Sequence, residues 1–443
     1  MTVTQRLAPT LLKDSALTFL GELACAAATF VGGILIARAT GAAGKGTFTL
    51  AVGVASIGAA VFGLRWGRPT GYFLARDRGQ LAAIAGSNVV MVLVATTIGF
   101  GVWQAWPGVF ERVVLPGVDA AIVTLALCLV AGEFLENAIG AIYGGLRQFG
   151  ARTVFFTVSS GMYALCSAAL YVAGCRDVGR YLAVYCAVWS ALLGGWGLAM
   201  LVRHRVVPRL DGRLMAGMAG YGGAAYLAFM FDLVTLRLDV FVLNYFAAVD
   251  QVGVYSIAVG LAAQLARIPN ILSHVVFNRT SANELGSGAT TARILRLATV
   301  SMLAGGVLVI GLGTVAIAPL YGREFAGAVP LLWVMVPASV CWGLFRLLAS
   351  DIEGRGRPAA VTACSILAGL CIVVLDLWWI PAHGAMGAAW ASLVAYAVAL
   401  GAGAVCFCRI TNMRWSVAYT PRLADLLSLR DALRRLPFAA HSA

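Results

Sequence analysis

The sequence is poor in charged residues and has no long polar stretch before its last residues, those after Cys408. Only 12% of its 443 residues are Asp, Glu, Lys or Arg, against about one quarter in soluble domains. It has just two lysines, Lys13 and Lys45, whereas 61% of the residues are hydrophobic. These shortages exclude a large soluble domain and indicate a protein that spans a membrane many times.

Motifs of catalysis and cofactor binding are also missing. No H-E-x-x-H, G-x-S-x-G, P-loop or G-x-G-x-x-G stands in a suitable context, and none of the four histidines falls in the middle of an apolar run. Most of the ten cysteines lie within apolar runs, and Cys406 and Cys408 form a pair without a second cluster. We therefore expect no enzyme, no cofactor and no metal site.

Apolar runs long enough to cross a bilayer are what the chain has in abundance. A span needs about 20 mostly apolar residues, and on this criterion the sequence predicts an all-α membrane protein with about twelve transmembrane helices. The expected spans are 15–37, 47–64, 81–106, 118–142, 153–174, 181–202, 216–246, 252–277, 294–320, 327–350, 359–380 and 385–408. Glu22 interrupts the first run, which favours a retained helix over a signal peptide.

The net charge of +13 is spread over short loops, which fits membrane orientation better than nucleic-acid binding. Of the 32 lysines and arginines, 23 fall in loops on one side and 6 on the other, where Arg38 and Lys45 share the first loop. Because cytoplasmic loops carry the excess, both termini are expected in the cytoplasm. Only Arg237, Arg267 and Arg346 remain inside predicted spans.

A weak internal repeat divides the chain. Gly46-Thr-Phe-Thr-Leu-Ala-Val-Gly-Val-Ala55 matches Gly253-Val-Tyr-Ser-Ile-Ala-Val-Gly-Leu-Ala262 at five of ten positions, 207 residues later. Since six spans separate the copies, the two halves have the same orientation. We expect two parallel six-helix repeats around a central cavity, with an N-terminal lobe at 1–202, a linker at 203–215, a second lobe at 216–408 and a basic cytoplasmic tail at 409–443.

Charged residues in the seventh and eighth spans are the first candidates for function. The seventh carries Asp232, Arg237 and Asp239, and the eighth carries Arg267 beside Pro269. A charge at mid-bilayer is costly and normally faces a wet cavity or a partner. A structural ion pair that joins the two helices is the alternative. Pro269 removes a backbone hydrogen bond and predicts a kink.

Carboxylates in the first half are candidates for coupling to a proton or Na⁺. Glu133 and Glu136 are three residues apart and share a helix face, so both are not expected to ionise easily in a low dielectric. Glu22 lies near the middle of the first span. Pairing with an arginine of a neighbouring helix is the alternative for these acids, and snorkelling to the interface is the alternative for Arg346.

Several segments resemble the polysaccharide-unit flippases, of Wzx type, in the multidrug/oligosaccharidyl-lipid/polysaccharide exporter superfamily. They are Thr40-Gly-Ala-Ala-Gly-Lys-Gly-Thr-Phe48, Leu238-Asp-Val-Phe-Val-Leu243, Val252-Gly-Val-Tyr-Ser-Ile-Ala258 and Gly384-Ala-Met-Gly-Ala-Ala-Trp390. The resemblance implies a transporter that moves undecaprenyl-pyrophosphate-linked oligosaccharide units across the cytoplasmic membrane by alternating access, for exopolysaccharide, capsule or O-antigen synthesis. Membrane lipids and the polysaccharide polymerase and export machinery are its implied partners.

That resemblance suggests roles for the charged residues. Arg237, Arg267 and Arg346 are the candidates for binding the pyrophosphate. The acids Glu22, Glu133, Glu136, Asp232 and Asp239 are the candidates for ion coupling or pairing. Two other classes stay open: a multidrug or small-solute secondary transporter, and a membrane glycosyltransferase or polymerase, against which the short outer loops argue.

Overall fold

The structure, a computed structural model, describes residues 3–64, 66–109, 112, 114–224, 226–281 and 288–413. The described residues are almost entirely helical. The long helices are α1 (Val3–Phe62), α2 (Gly67–Arg76), α3 (Leu81–Ala105), α4 (Ala120–Gly145), α5 (Phe149–Val172), α6 (Val178–Arg203), α7 (Gly212–Ala224), α8 (Tyr226–Phe246), α9 (Val249–Ala262), α10 (Arg267–Ser281), α11 (Ala289–Tyr321), α12 (Ala328–Gly354) and α13 (Pro358–Thr411). Single turns of helix occupy 78–80, 107–109, 263–266 and 323–325.

Within the described ranges, nine helices are long and apolar enough to cross a membrane. Two of them, α1 and α13, are each broken once and so provide two spans. Helix α8 adds a further apolar segment that carries three charges, Asp232, Arg237 and Asp239. The chain is a multi-pass membrane protein, and its helices are consistent with the predicted twelve-span repeat.

The sequence predicted two loops that the structure does not have. The sequence predicted a loop at 38–46 and another at 381–384, but helix continues through both and breaks at one glycine each. Gly41 has φ 72° and Gly384 has φ 56°, a left-handed backbone that glycine adopts without steric cost. Arg38 and Lys45 consequently lie within helix α1 and not in a loop.

Regular α-helix is interrupted just before Pro269, where the sequence predicted a kink. The helix that begins at Val249 tightens into a 3₁₀ turn at Ala263–Ala266 before α10 begins at Arg267. Pro269 lacks an N–H, and its ring clashes with the carbonyl four residues earlier, so regular α-helix cannot pass this point. The turn sets Arg267 at the start of a new helical segment.

The fold divides into two compact units. The first consists of Met1–Met230, Ala247–Val254 and Leu320–Glu324, and the second of Phe231–Phe246, Tyr255–Pro319 and Phe325–Ala443. The lobes at 1–202 and 216–408 with a linker at 203–215 stay a prediction. Most of the expected basic tail, residues 414–443, lies outside the described residues.

The first unit contains both copies of the glycine that opens the repeat. A Cβ placed on Gly46 would lie 2.0 Å from the Val249 carbonyl oxygen, and one placed on Gly253 would lie 1.9 Å from the Ala42 carbonyl oxygen. Ala42 and Val249 are themselves 207 residues apart. The two contacts are therefore reciprocal, and two helices meet there backbone against backbone.

Candidate functional site

Helix α8 places its three charged residues in three different environments. Asp239 is 2% exposed, Asp232 is half-buried and Arg237 is exposed. Seven residues separate the two acids, so they lie near one face, whereas Arg237 projects elsewhere. The helix thus carries its acids inward and its cation outward.

Asp239 is the centre of a buried hydrogen-bonded cluster in the second unit. The hydroxyl of Tyr255, on α9, donates to Asp239 Oδ2, and Ser392 Oγ, on α13, donates to the same oxygen over 3.5 Å. The backbone N–H of Val240 donates to Asp239 Oδ1 over 2.8 Å. Tyr255 is fully buried. Three donors aimed at one carboxyl group stabilise it within an apolar surrounding.

A second carboxylate, Asp376, belongs to this cluster and was missed by the sequence reasoning. It lies on the first arm of α13, is 0% exposed, and neither of its carboxyl oxygens has a hydrogen-bond partner among the described residues. It interacts electrostatically with Asp239. Burial and the mutual repulsion of the two groups both disfavour a charge on either carboxyl group.

Asp232 and Arg346 form an ion pair within the second unit. Arg346 Nη1, on α12, lies 3.1 Å from Asp232 Oδ2, and their side chains are 27% and 16% exposed. The expected alternative was an ion pair between the seventh and eighth spans. The structure joins the seventh span to the tenth span instead. Arg346 therefore has a protein carboxylate as its partner in this conformation.

Arg267 is exposed at the start of α10. Its Nε donates to Oε1 of Gln264 over 2.9 Å, across the 3₁₀ turn that precedes Pro269. That contact holds the guanidinium group next to the kink. Arg237 and Arg267 are both accessible side chains in this unit, and Arg346 is largely covered by its pairing with Asp232.

The first unit holds the other three acidic candidates. Glu133 and Glu136 are both half-buried on α4, repel each other, and act electrostatically on Tyr185 of α6. Glu22 is exposed on the first arm of α1, next to Gly21, which packs against Thr153 of α5. The structure thus brings Glu133 and Glu136 together and leaves Glu22 on a separate surface.

An aromatic cluster occupies the part of the first unit that corresponds to the Asp239 cluster. The Phe48 ring centroid is 6.0 Å from that of Tyr185, and Tyr185 is 5.1 Å from Trp189. Adding 207 to Phe48 and Tyr185 gives Tyr255 and Ser392, which also contact each other. Asp239 itself corresponds to Gly32. At this offset, the contacting side chains are both aromatic in the first unit and are joined by a hydrogen bond in the second.

Lys45 adds a cation to the aromatic cluster. It is half-buried in the first turn after the Gly41 break, and its Nζ lies 5.6 Å from the centroid of Phe48. A Cβ placed on Gly33 would be 4.0 Å from the same Nζ. The side chain therefore extends between the two arms of α1. Sequence reasoning placed Lys45 in a loop and missed it.

Residues 121–330 match the model of a family described as polysaccharide biosynthesis protein. Comparison with curated protein sequences gives no match. The family match covers the end of the first half of the chain and the beginning of the second, including Glu133, Asp239 and Arg267.

Solved structures share the fold over most of the chain. The lipid II flippase MurJ, in an inward closed conformation, superposes with a TM-score of 0.72 at 11% identity, over 94% of this chain and 91% of that one. An inward-facing multidrug resistance MATE family transporter of the MOP superfamily gives 0.69 at 15% identity, over 87% and 94%. A MOP superfamily transporter from Pyrococcus furiosus gives 0.57 at 13% identity, over 92% and 96%. These matches show that the chain has the fold that these transporters share.

Proposed function

We propose that this protein is a flippase that moves undecaprenyl-pyrophosphate-linked oligosaccharide units across the bacterial cytoplasmic membrane by alternating access, for polysaccharide synthesis. Both termini lie in the cytoplasm, in accordance with the distribution of arginines over the loops. The fold shared with a lipid II flippase and the match to a polysaccharide biosynthesis family support this proposal. The headgroup is the part of the substrate that the protein must carry, since the prenyl chain is soluble in lipid.

The exposed position of Arg237 in an apolar helix is the observation that carries the proposal. It stands two residues from the buried Asp239, on which its charge acts, and it is exposed. Its side chain forms no hydrogen bond or close ion pair with another described residue. A permanently charged guanidinium in such a helix is costly unless it faces a wet surface or a ligand. An anionic headgroup supplies the missing partner.

Arginine suits the pyrophosphate for geometric reasons. Its planar group presents several N–H donors at fixed angles, which match two oxygens of a phosphate. Arg237 and Arg267 replace water around the pyrophosphate, because unpaired polar groups in hydrocarbon cost several kcal/mol each. Arg346 reaches the substrate only in a state in which its contact with Asp232 opens.

Asp239 and Asp376 couple the cycle to an ion. One proton or one monovalent cation on this carboxyl pair removes the repulsion between the two groups, and its release restores it. Tyr255 and Ser392 hold Asp239 in place while Asp376 changes its charge. Glu133 and Glu136 form a second pair of the same kind in the first unit.

Reconstitution tests the proposal directly. Purified protein in liposomes with a fluorescent undecaprenyl-pyrophosphate oligosaccharide is expected to expose the label to an impermeant quencher, and Arg237→Gln and Arg267→Gln are each expected to slow that exposure. Arg180→Gln is the control, because the Arg180 side chain is 74% exposed and pairs with Asp177 at the start of α6. Wild-type protein that leaves the label protected would refute a flippase.

The MATE-like fold favours a second candidate, a multidrug exporter. In that case, vesicles containing the protein would accumulate a labelled organic cation and would not move the lipid-linked oligosaccharide. The same preparation therefore separates the two candidates. Sugar transfer by the purified protein in detergent would instead indicate a glycosyltransferase.

A further inference from the structure

We propose that Lys45 binds the anionic group of the lipid-linked substrate in the first unit, and this inference rests on the proposed function. Lys45 is one of only two lysines in the chain. Nothing in the sequence pattern singled it out, because its segment looked like a loop.

The location of Lys45 is the first argument. Residues 20–62 are one apolar helical segment with a break at Gly41, and Lys45 is its single lysine. The ammonium group lies half-buried over Phe48 and close to Gly33, in the space between the two arms. A lysine that served only to anchor the helix at the interface would extend its amine into water.

The lack of a counter-ion is the second argument. No ion pair or hydrogen bond joins the side chain of Lys45 to another described residue. Glu324 is the carboxylate next to the Gly41 break of α1. It accepts a hydrogen bond from the backbone N–H of Ala42 over 3.2 Å. A half-buried charge without a counter-ion costs free energy that an incoming anion recovers.

The surrounding aromatic rings are the third argument. Phe48 lies 6.4 Å from Tyr163, and Tyr163 lies 5.3 Å from Tyr185, centroid to centroid. These rings shield the ammonium from water, which strengthens its attraction for an anion. The ring of Phe48 also stabilises the cation itself, so the ligand site persists without a carboxylate.

The anion has two possible sources within one substrate, the pyrophosphate and an acidic sugar. Lysine presents a compact charge with three donors and binds either a phosphate or a carboxylate oxygen. The shared chemistry is an anionic oxygen on the headgroup. Sugar-free undecaprenyl pyrophosphate carries only the first source, and a uronic-acid-bearing form carries both.

The test is lipid binding by the full chain in nanodiscs. The probes are undecaprenyl pyrophosphate, its forms with a neutral or an acidic sugar, and uncharged undecaprenol. Lys45→Met keeps the approximate length of the side chain and makes it apolar, Lys45→Arg keeps the charge, and Arg180→Gln removes a charge at an exposed position in the first turn of α6. Thermal melting of each variant in the same nanodiscs shows whether the fold is intact.

We expect Lys45→Met to weaken binding of undecaprenyl pyrophosphate by about tenfold or more, as for loss of a charge-assisted hydrogen bond, with undecaprenol binding unchanged. Lys45→Arg and Arg180→Gln should bind like the wild type. A loss confined to the acidic-sugar form would support the site and assign the anion to the sugar. Undiminished binding of every charged lipid by folded Lys45→Met would overturn the inference alone. Wild-type protein that bound no charged lipid better than undecaprenol would overturn the proposed function.

Discussion

Gly46 and Gly253, which occupy the same position in the two copies of the repeat, pack against each other in the first unit. A Cβ on Gly46 would lie 3.0 Å from the backbone nitrogen of Gly253, and a Cβ on Gly253 would lie 3.1 Å from that of Gly46. Each also approaches a carbonyl oxygen of the other helix. One shared contact thus explains why both copies of the repeat have glycine at this position.

Replacing either glycine with alanine is expected to destabilise the protein by about 1–3 kcal/mol or more, because the new methyl group would overlap backbone atoms that cannot turn aside. In an open helix position the same change would be stabilising by about 0.5–1 kcal/mol. The melting temperature in detergent, followed by size-exclusion fluorescence, measures the effect.

Gly260→Ala is the matched control for this prediction. Gly260 lies in the same helix as Gly253, and a Cβ there would meet no atom within 4 Å. Its variant should melt at or above the wild-type temperature. If Gly46→Ala and Gly253→Ala behaved like Gly260→Ala, the close helix contact would be wrong.

The ion pair of Asp232 and Arg346 predicts rescue by charge reversal. Each single change, Asp232→Arg or Arg346→Asp, should lower stability by about 1–3 kcal/mol, since the pair is partly shielded from water. The double variant should recover most of that loss. Melting temperatures of the four proteins form a double-mutant cycle.

The same variants separate pairing from substrate binding at Arg346. If Arg346 only pairs, the double variant should regain flipping together with stability. If Arg346 also contacts the pyrophosphate, the double variant should be stable but slow. Failure of the double variant to regain stability would contradict the ion pair itself.

Asp239 and Asp376 are expected to respond differently to conversion to asparagine. Asp239→Asn replaces one acceptor oxygen with an amide and should lower stability by about 1–3 kcal/mol, because buried donors lose their partner. Asp376→Asn removes a carboxyl group that has no hydrogen-bond partner among the described residues, so its melting temperature should equal or exceed that of the wild type. Both variants should lose the dependence of flipping on a proton or sodium gradient.

Tyr255→Phe is the companion control in that experiment. It removes the hydroxyl that donates to Asp239 and keeps the ring. The melting temperature should therefore fall, although both carboxyl groups remain. Gradient-dependent flipping that survived in Asp376→Asn would contradict the assignment of coupling to this pair.

Cys364 and Cys406 provide a check of the packing of the two arms of α13. Their sulfur atoms are 3.9 Å apart, so a mercuric ion or a very short thiol cross-linker should bridge them in the folded protein. Mass spectrometry should find one reagent bound to both thiols, and maleimide labelling of both should fall. Cys364→Ser should abolish the bridge, and a bridge of equal yield in that variant would contradict the contact.

Apolar runs are strong sequence signals, and they predicted the spans within a few residues. The expected span at 81–106 is the helix Leu81–Ala105, and the one expected at 153–174 is the helix Phe149–Val172. The breaks at Gly41 and Gly384 were not predictable, because one left-handed residue leaves the composition of a helix unchanged. Because glycine next to small residues is typical of a turn, the sequence predicted loops at both positions.

The site was predictable only where a charge stands alone in an apolar run. That rule found Asp232 and Asp239, and it applies equally to Asp376, which was overlooked. It could not find partners, since Arg346 is 114 residues from Asp232 and the pairing depends on how helices pack. Tyr255 and Ser392 carry no unusual pattern of their own.

Phe48 and Tyr255 differ by one oxygen atom. That hydroxyl donates to Asp239 in the second unit, whereas the first unit has Gly32 and a stack of rings at the matching positions. A single hydroxyl group at one repeat position therefore adds a proton donor to a site that is otherwise built of apolar rings.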